Sequence, residues 1–146
     1  MGADDYKIER MIMLKSISHI SIAVGNLDRA CEFYHDVMGG KITNRHVVPS
    51  QKVEVAFVEF TGSARIELIA PTQEDSPVGR FIAKHGPGLH HICFHVDHIE
   101  DTMTYLEDHG VKLIDKTPRP GAEDDRIAFL HPASAWGTLI ELSEPK

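Results

Sequence analysis

His19, Glu67, His91 and Glu141 have the donor chemistry of a divalent-metal site, and they stand at matched places in the chain. Residues 17–24 read ISHISIAV and residues 89–96 read LHHICFHV; aligned without a gap, His19 falls on His91 and Val24 on Val96. Residues 64–71 (ARIELIAP) match residues 138–145 (TLIELSEP) in the same way, so Glu67 falls on Glu141. Taken singly, each residue is ordinary. A strand histidine is most often held by a hydrogen bond, and a glutamate between two aliphatic residues most often lies on the solvated face of a strand. The repeat makes them a set. A pseudo-twofold axis relating the two halves would bring equivalent residues together. Two imidazoles and two carboxylates suit cobalt, manganese, nickel, zinc or iron. Rigid strands would hold them with coordination positions left open for a substrate.

The elements that must position these residues follow from periodicity. Ile17–Val24 alternates and is β-branched, which predicts a strand. Leu27, Ala30, Cys31 and Tyr34 recur at helical spacing, and Gly39-Gly40 ends that helix; Ile99, Met103 and Leu106 form the same stripe in the second half, ended by Gly110. Val53–Phe60 and Ala64–Ile69 read as strands joined at Thr61-Gly62-Ser63, and Lys112–Ile114, Arg126–Leu130 and Thr138–Leu142 read likewise. Asp75–His85 reads as a short helix with Ser76 as N-cap and Pro77 in its first turn. The fold class expected is α+β. Two tandem βαβββ modules, 16–71 and 88–146, would form a curved mixed sheet around a metal-containing cleft, with a linker helix in 72–87. Residues 1–15 read as a leader ahead of a single domain over 16–146.

On the expected strand, Glu67 shares a face with Arg65 and Ile69, opposite Ile66 and Leu68. Of the remaining histidines, His90 should point to the opposite strand face from His91. His95 could line the same face as His91 farther out, His131 ends a strand, and His35, His46, His85, His98 and His109 read as loop or helix-surface residues.

Composition limits the partners. The chain has 146 residues, a net charge of -7 and no basic stripe, so neither nucleic acid nor an anionic membrane surface is an expected partner. No apolar run approaches the ~18 residues needed to span a bilayer. Cys31 and Cys93 form no CxxC pair or disulfide framework, and read as buried thiols in a reducing, cytoplasmic compartment.

The paired modules with His and Glu at these positions resemble the vicinal oxygen chelate superfamily. Within it the chain is similar to the methylmalonyl-CoA epimerase family from about Ser16 to Pro145. The most specific segments are EDSPVGRFIAKHGPGLHHICFHVDHIE (74–100), RIAFLHPAS (126–134) and GTLIEL (137–142). The resemblance implies an isomerase that interconverts the C2 epimers of methylmalonyl-CoA, with an acyl-CoA substrate, one divalent ion (cobalt first; manganese, nickel or zinc otherwise) and a homodimer. It implies proton removal and return through an enolate that the metal stabilises, with Glu141 as a ligand and also an acid/base group.

An acid/base partner on the other face of the substrate is not assigned. Some family members carry a glutamate on the strand at 53–60. Here Val55 takes that position, and Glu54 is one residue out of register. Glu123, Asp124 and Asp125 replace glycines and a basic or amide residue, and read as an exposed loop. Lys52, Arg80, Lys84 and Arg119 are the cations available to CoA phosphates. The alternatives are a lactoylglutathione lyase (glyoxalase) using the same four ligands, or a metal-free small-molecule-binding resistance protein. A dioxygenase is disfavoured by the extra carboxylate Glu67.

Overall fold

The computed structural model describes residues 14–146; all but the last two residues of the expected leader lie outside the described residues. Two compact units divide the chain. One spans His19–His91, and the other holds Ile92–Lys146 together with residues 14–18.

The His19–His91 unit contains β1 (Ile17–Ala23, less its first two residues), α1 (Leu27–Glu32), β2 (Lys41–Val48), β3 (Val53–Glu59), β4 (Arg65–Pro71) and α2 (Pro77–His85). Its strands hydrogen-bond in the order β2-β3-β4-β1. The β2/β3 and β3/β4 pairs are antiparallel and β4/β1 is parallel. Period-2 alternation splits each strand between two faces. Leu27, Ala56, Val58, Leu68 and Ala70 form the core under α1. The opposite face carries His19 and Ser21 of β1, Arg65 and Glu67 of β4, and Val55 and Phe57 of β3.

The helix departs from a plain α-helix. After Glu32 it widens into a π-helical turn, Phe33–Val37, in which the Met38 N–H donates to the Phe33 carbonyl at 3.0 Å. Gly39 then leaves the helix at φ +79°. Ser76 caps α2 as expected, its hydroxyl accepting from the Gly79 N–H at 3.0 Å.

The second unit contains the C-terminal half of β5 (Gly88–His95), then α3 (Ile99–Asp108), β6 (Arg119–Pro120), β7 (Asp125–Leu130) and β8 (Ile140–Pro145). The order β6-β7-β8-β5 repeats that of the first unit, with β8/β5 parallel and the other pairs antiparallel. Val96, Ile99, Met103, Leu113, Ala128, Leu130 and Leu142 form its core. Each unit is thus a mixed-sheet βαβββ arrangement. The expected strand at Lys112–Ile114 is reduced to one bridge, Leu113 to Leu130. The Asp115 carboxylate accepts from the Phe129 N–H at 2.8 Å just beyond, ending the pairing with a side chain.

β2 carries a bulge. Thr43 pairs with Phe57 but His46 pairs with Val55, so three steps on β2 match two on β3. Asn44 takes φ +50° within it. A bulge re-aims the side chains that follow. Arg45 is turned towards α1 and ion-pairs with Asp28 at 2.7 Å, while His46 is turned to the face of Val55 and Phe57. His46 is therefore a half-buried strand residue, not the loop or helix-surface residue expected from the sequence.

Candidate metal centre

Three of the four expected donors meet inside the His19–His91 unit. β1 and β4 run parallel with Ser21 opposite Glu67 and His19 opposite Arg65, so His19 is the diagonal neighbour of Glu67. His91, on β5, closes the group. The ligand atoms of His19, Glu67 and His91 all lie within 4.8 Å of one another. Both Nε2 atoms sit 3.7 Å from Glu67 Oε1.

All three side chains are buried, with Glu67 only 5% exposed. That excludes the ordinary reading of Glu67 as a solvated strand residue. A carboxylate out of water must be paired, hydrogen-bonded or metal-ligating. Two borderline imidazoles and one hard carboxylate with converging donor atoms fit a divalent transition ion. Glu141 is on β8 in the other unit, opposite Cys93 and Phe129 in register, and is likewise buried.

Ser21 and His90 support the three donors. The fully buried Ser21 hydroxyl donates to Glu67 Oε1 and lies 2.8 Å from His91 Nε2. His91 Nδ1 lies 2.8 Å from His90 Nδ1, and the His90 ring packs edge-on against Phe81 of α2 at 4.8 Å. Phe57 stands edge-on to His19 at 5.5 Å, and the Arg65 guanidinium lies 4.2 Å over the Phe57 ring. Sequence reasoning missed Ser21, although its alternation with His19 was a usable signal. It also set His90 apart from the site; strand parity hides a ring that turns back to its neighbour.

The other candidates are placed as follows. Glu54 lies on the α1 side of β3 and accepts from Arg45 Nε at 3.4 Å, away from the face of Glu67. Burial holds the Cys31 thiol up, and Asp28 and Glu54 add to this against the opposing effect of Arg45; a thiol kept protonated is a poor nucleophile. Asp125 holds its own turn, accepting from the Glu123 N–H and the Ser143 hydroxyl, and Asp124 pairs with Lys146 at 2.8 Å. Arg80 pairs with Asp75 at 2.9 Å, Arg119 with Asp115 at 3.0 Å, and Lys52 donates to the Asp75 carbonyl. No helix among the described residues is long and apolar enough to cross a membrane.

Residues 18–129 match the model of the glyoxalase/bleomycin resistance protein/dioxygenase superfamily. The uncharacterized protein YqjC of Bacillus subtilis is 43% identical over 91% of this chain and 94% of its own length. The crystal structure of methylmalonyl-CoA epimerase from Mycobacterium tuberculosis matches with a TM-score of 0.88 at 36% identity, covering 92% of this chain and 91% of that one. A methylmalonyl-CoA epimerase from Streptomyces coelicolor, solved in complex with 2-nitronate-propionyl-CoA, matches with a TM-score of 0.87 at 35% identity, covering 91% of this chain and 99% of that one. A buried His-Glu-His group within one βαβββ unit and these likenesses agree: the chain belongs to the glyoxalase/bleomycin resistance protein/dioxygenase superfamily, among the relatives of its methylmalonyl-CoA epimerases.

Proposed function

We propose that this protein is an isomerase that epimerises methylmalonyl-CoA at C2. The observation that carries the reading is the buried convergence of His19, Glu67 and His91 in a chain 35–36% identical to epimerases, one of them solved with an acyl-CoA analogue. Glu141 is the fourth ligand in this reading, on the strength of its equivalence to Glu67 in the sequence repeat. The ion is divalent, with cobalt first and manganese, nickel or zinc as alternatives, and the working form is a homodimer.

The C2 proton is flanked by a thioester and a carboxylate and is only weakly acidic in water. A divalent ion held here supplies Lewis acidity to the substrate oxygens as negative charge develops. Glu67 and the two imidazoles are fixed on strands, so the donor set is ordered before the substrate arrives. Burial keeps water from competing for the same positions. Glu141 exchanges a proton with C2 on one face of the substrate, and a second group acts on the other.

The test is proton exchange at C2 of methylmalonyl-CoA in deuterated water, with cobalt added to metal-stripped protein. Deuterium should enter only in the presence of metal, with about one ion bound per chain. Protein that binds no ion after reconstitution, or that binds one and exchanges nothing, would overturn the reading. Glu141→Gln should lower exchange by about 100-fold or more while part of the metal is retained.

A further inference from the structure

Resting on the epimerase reading, the question left open is the second proton-transfer group, and the geometry of β2 and β3 points to one residue. We propose that His46 takes and returns the C2 proton on the substrate face opposite Glu141.

The candidates are the titratable side chains on the face of β2, β3, β4 and β1 that carries the donors. Glu54 is excluded by strand parity and by its pairing with Arg45 and, through it, with Asp28 on α1. Lys41 and Glu59 pair with each other in register at the far end of their strands and are exposed. Arg65 lies over Phe57, and a guanidinium does not release a proton near neutral pH. His46 remains.

Its placement depends on the bulge. Thr43 is opposite Phe57, which touches His19, and Phe57 is opposite Glu67. A regular strand would put residue 45 opposite Val55 and send His46 to the α1 side. The extra residue, taken up at Asn44 with φ +50°, reverses this. It brings the imidazole to the donor face, one row along from Glu67, and sends the guanidinium away. Bulges recur beside active sites for this reason.

The ring is also oriented for the task. His46 Nδ1 lies 2.9 Å from the Asn44 carbonyl, which can only accept, so Nδ1 carries a proton and donates. In the neutral ring Nε2 then holds the lone pair. In one direction the C2–H bond breaks and its proton passes to Nε2. The electron pair delocalises onto the thioester oxygen. The Glu141 carboxyl then delivers its proton to the other face of C2. The imidazolium and the carboxylate are reset by proton exchange with water. The opposite direction runs the same steps backwards, so no net proton or electron is consumed.

The experiment follows each epimer of methylmalonyl-CoA separately in deuterated water with the metal-loaded wild type and His46→Gln. The variant should bind metal as the wild type does, and inversion should fall by about 100-fold or more. Deuterium should still enter the one epimer whose proton faces Glu141, with retention of configuration. A positioning or purely structural role would slow exchange from both epimers alike, and that result would overturn the proposal. So would inversion at the wild-type rate. Independently of turnover, the ¹⁵N signals of His46 should shift when 2-nitronate-propionyl-CoA is added; unmoved signals with the analogue bound would count decisively against contact. A wild type that inverts C2 beside an unaffected variant removes only the role of His46. A wild type that inverts neither epimer removes the epimerase reading and this proposal with it.

Discussion

Proton inventory constrains the buried donors residue by residue. Ser21 has one hydroxyl proton and gives it to Glu67, so its oxygen accepts from His91 Nε2–H. In a neutral His91 ring Nδ1 is then an acceptor, and His90 Nδ1–H donates to it. An ion held at His91 Nε2 would require that nitrogen to be deprotonated. With the His91 proton then on Nδ1, the bond to His90 would reverse direction, His90 carrying its own proton on Nε2 and accepting at Nδ1. His90 thus steadies the ring in both states, in the way that outer partners orient ligating imidazoles. His90→Phe keeps a ring against Phe81 but removes this partner. Metal affinity should fall about 10–100-fold, read by titration against a chromophoric chelator; unchanged affinity would reduce His90 to packing. The three converging donors were legible in the sequence because the repeat sets His19 against His91 and Glu67 against Glu141. Arg45 and His46 were not, because a bulge exchanges the faces of adjacent residues without changing their identities. Glu54 showed the same limit from the other side: counting placed it one residue from usefulness, and the structure puts it in an ion pair on the opposite face.

At the scale of elements, helix α3 shows how a distant residue can supply a missing cap. His98 makes no side-chain capping bond. The Glu144 carboxylate, on β8, accepts instead from the Ile99 N–H at 2.8 Å. Burial pushes the Glu144 carboxyl up, but this N–H and the Arg126 guanidinium together hold it below the ordinary carboxylate range. The sign follows from linkage: a depressed carboxyl stabilises the fold above its unfolded pKa, and that contribution is lost as pH falls through the lower folded value. Glu144→Gln should therefore cost about 1–2 kcal/mol near neutral pH. Its deficit against wild type should shrink in acid, as thermal melts across pH would read. A deficit constant with pH would mean that packing, not charge, is lost. Strand alternation and Gly stops made most elements legible. The π-helical turn at Phe33–Val37 and the collapse of Lys112–Ile114 to one bridge were not, since both depend on tertiary partners. Gly40 is an example: a Cβ there would strike Val58 and lie 3.0 Å from the Tyr34 carbonyl, so the chain must pass close to β3 as it leaves the helix. Gly40→Ala should destabilise by about 1–3 kcal/mol by overpacking, measured by urea unfolding.

For the molecule as a whole, the spread of the candidate donors along the chain would make metal binding a folding event. His19 and His91 bound the compact unit, and Glu67 lies between them. An unfolded chain has no such convergence, so an ion that binds the native state alone stabilises it by mass action. At about 100 times the dissociation constant this is worth about 2.7 kcal/mol. For a domain of this size such a gain corresponds to a rise in Tm of about 10 °C. Ligation needs a deprotonated nitrogen on each imidazole, so protons compete with the ion for the same donors. Differential scanning fluorimetry of metal-stripped protein against cobalt, zinc and magnesium would resolve this. Cobalt and zinc should raise Tm, and magnesium, which prefers oxygen donors, should not. His19→Ala should abolish the rise while leaving the second unit's core, built from Val96, Ile99, Leu130 and Leu142, untouched. An equal rise with magnesium, or one that survives His19→Ala, would place the ion on surface carboxylates instead of on the buried donors.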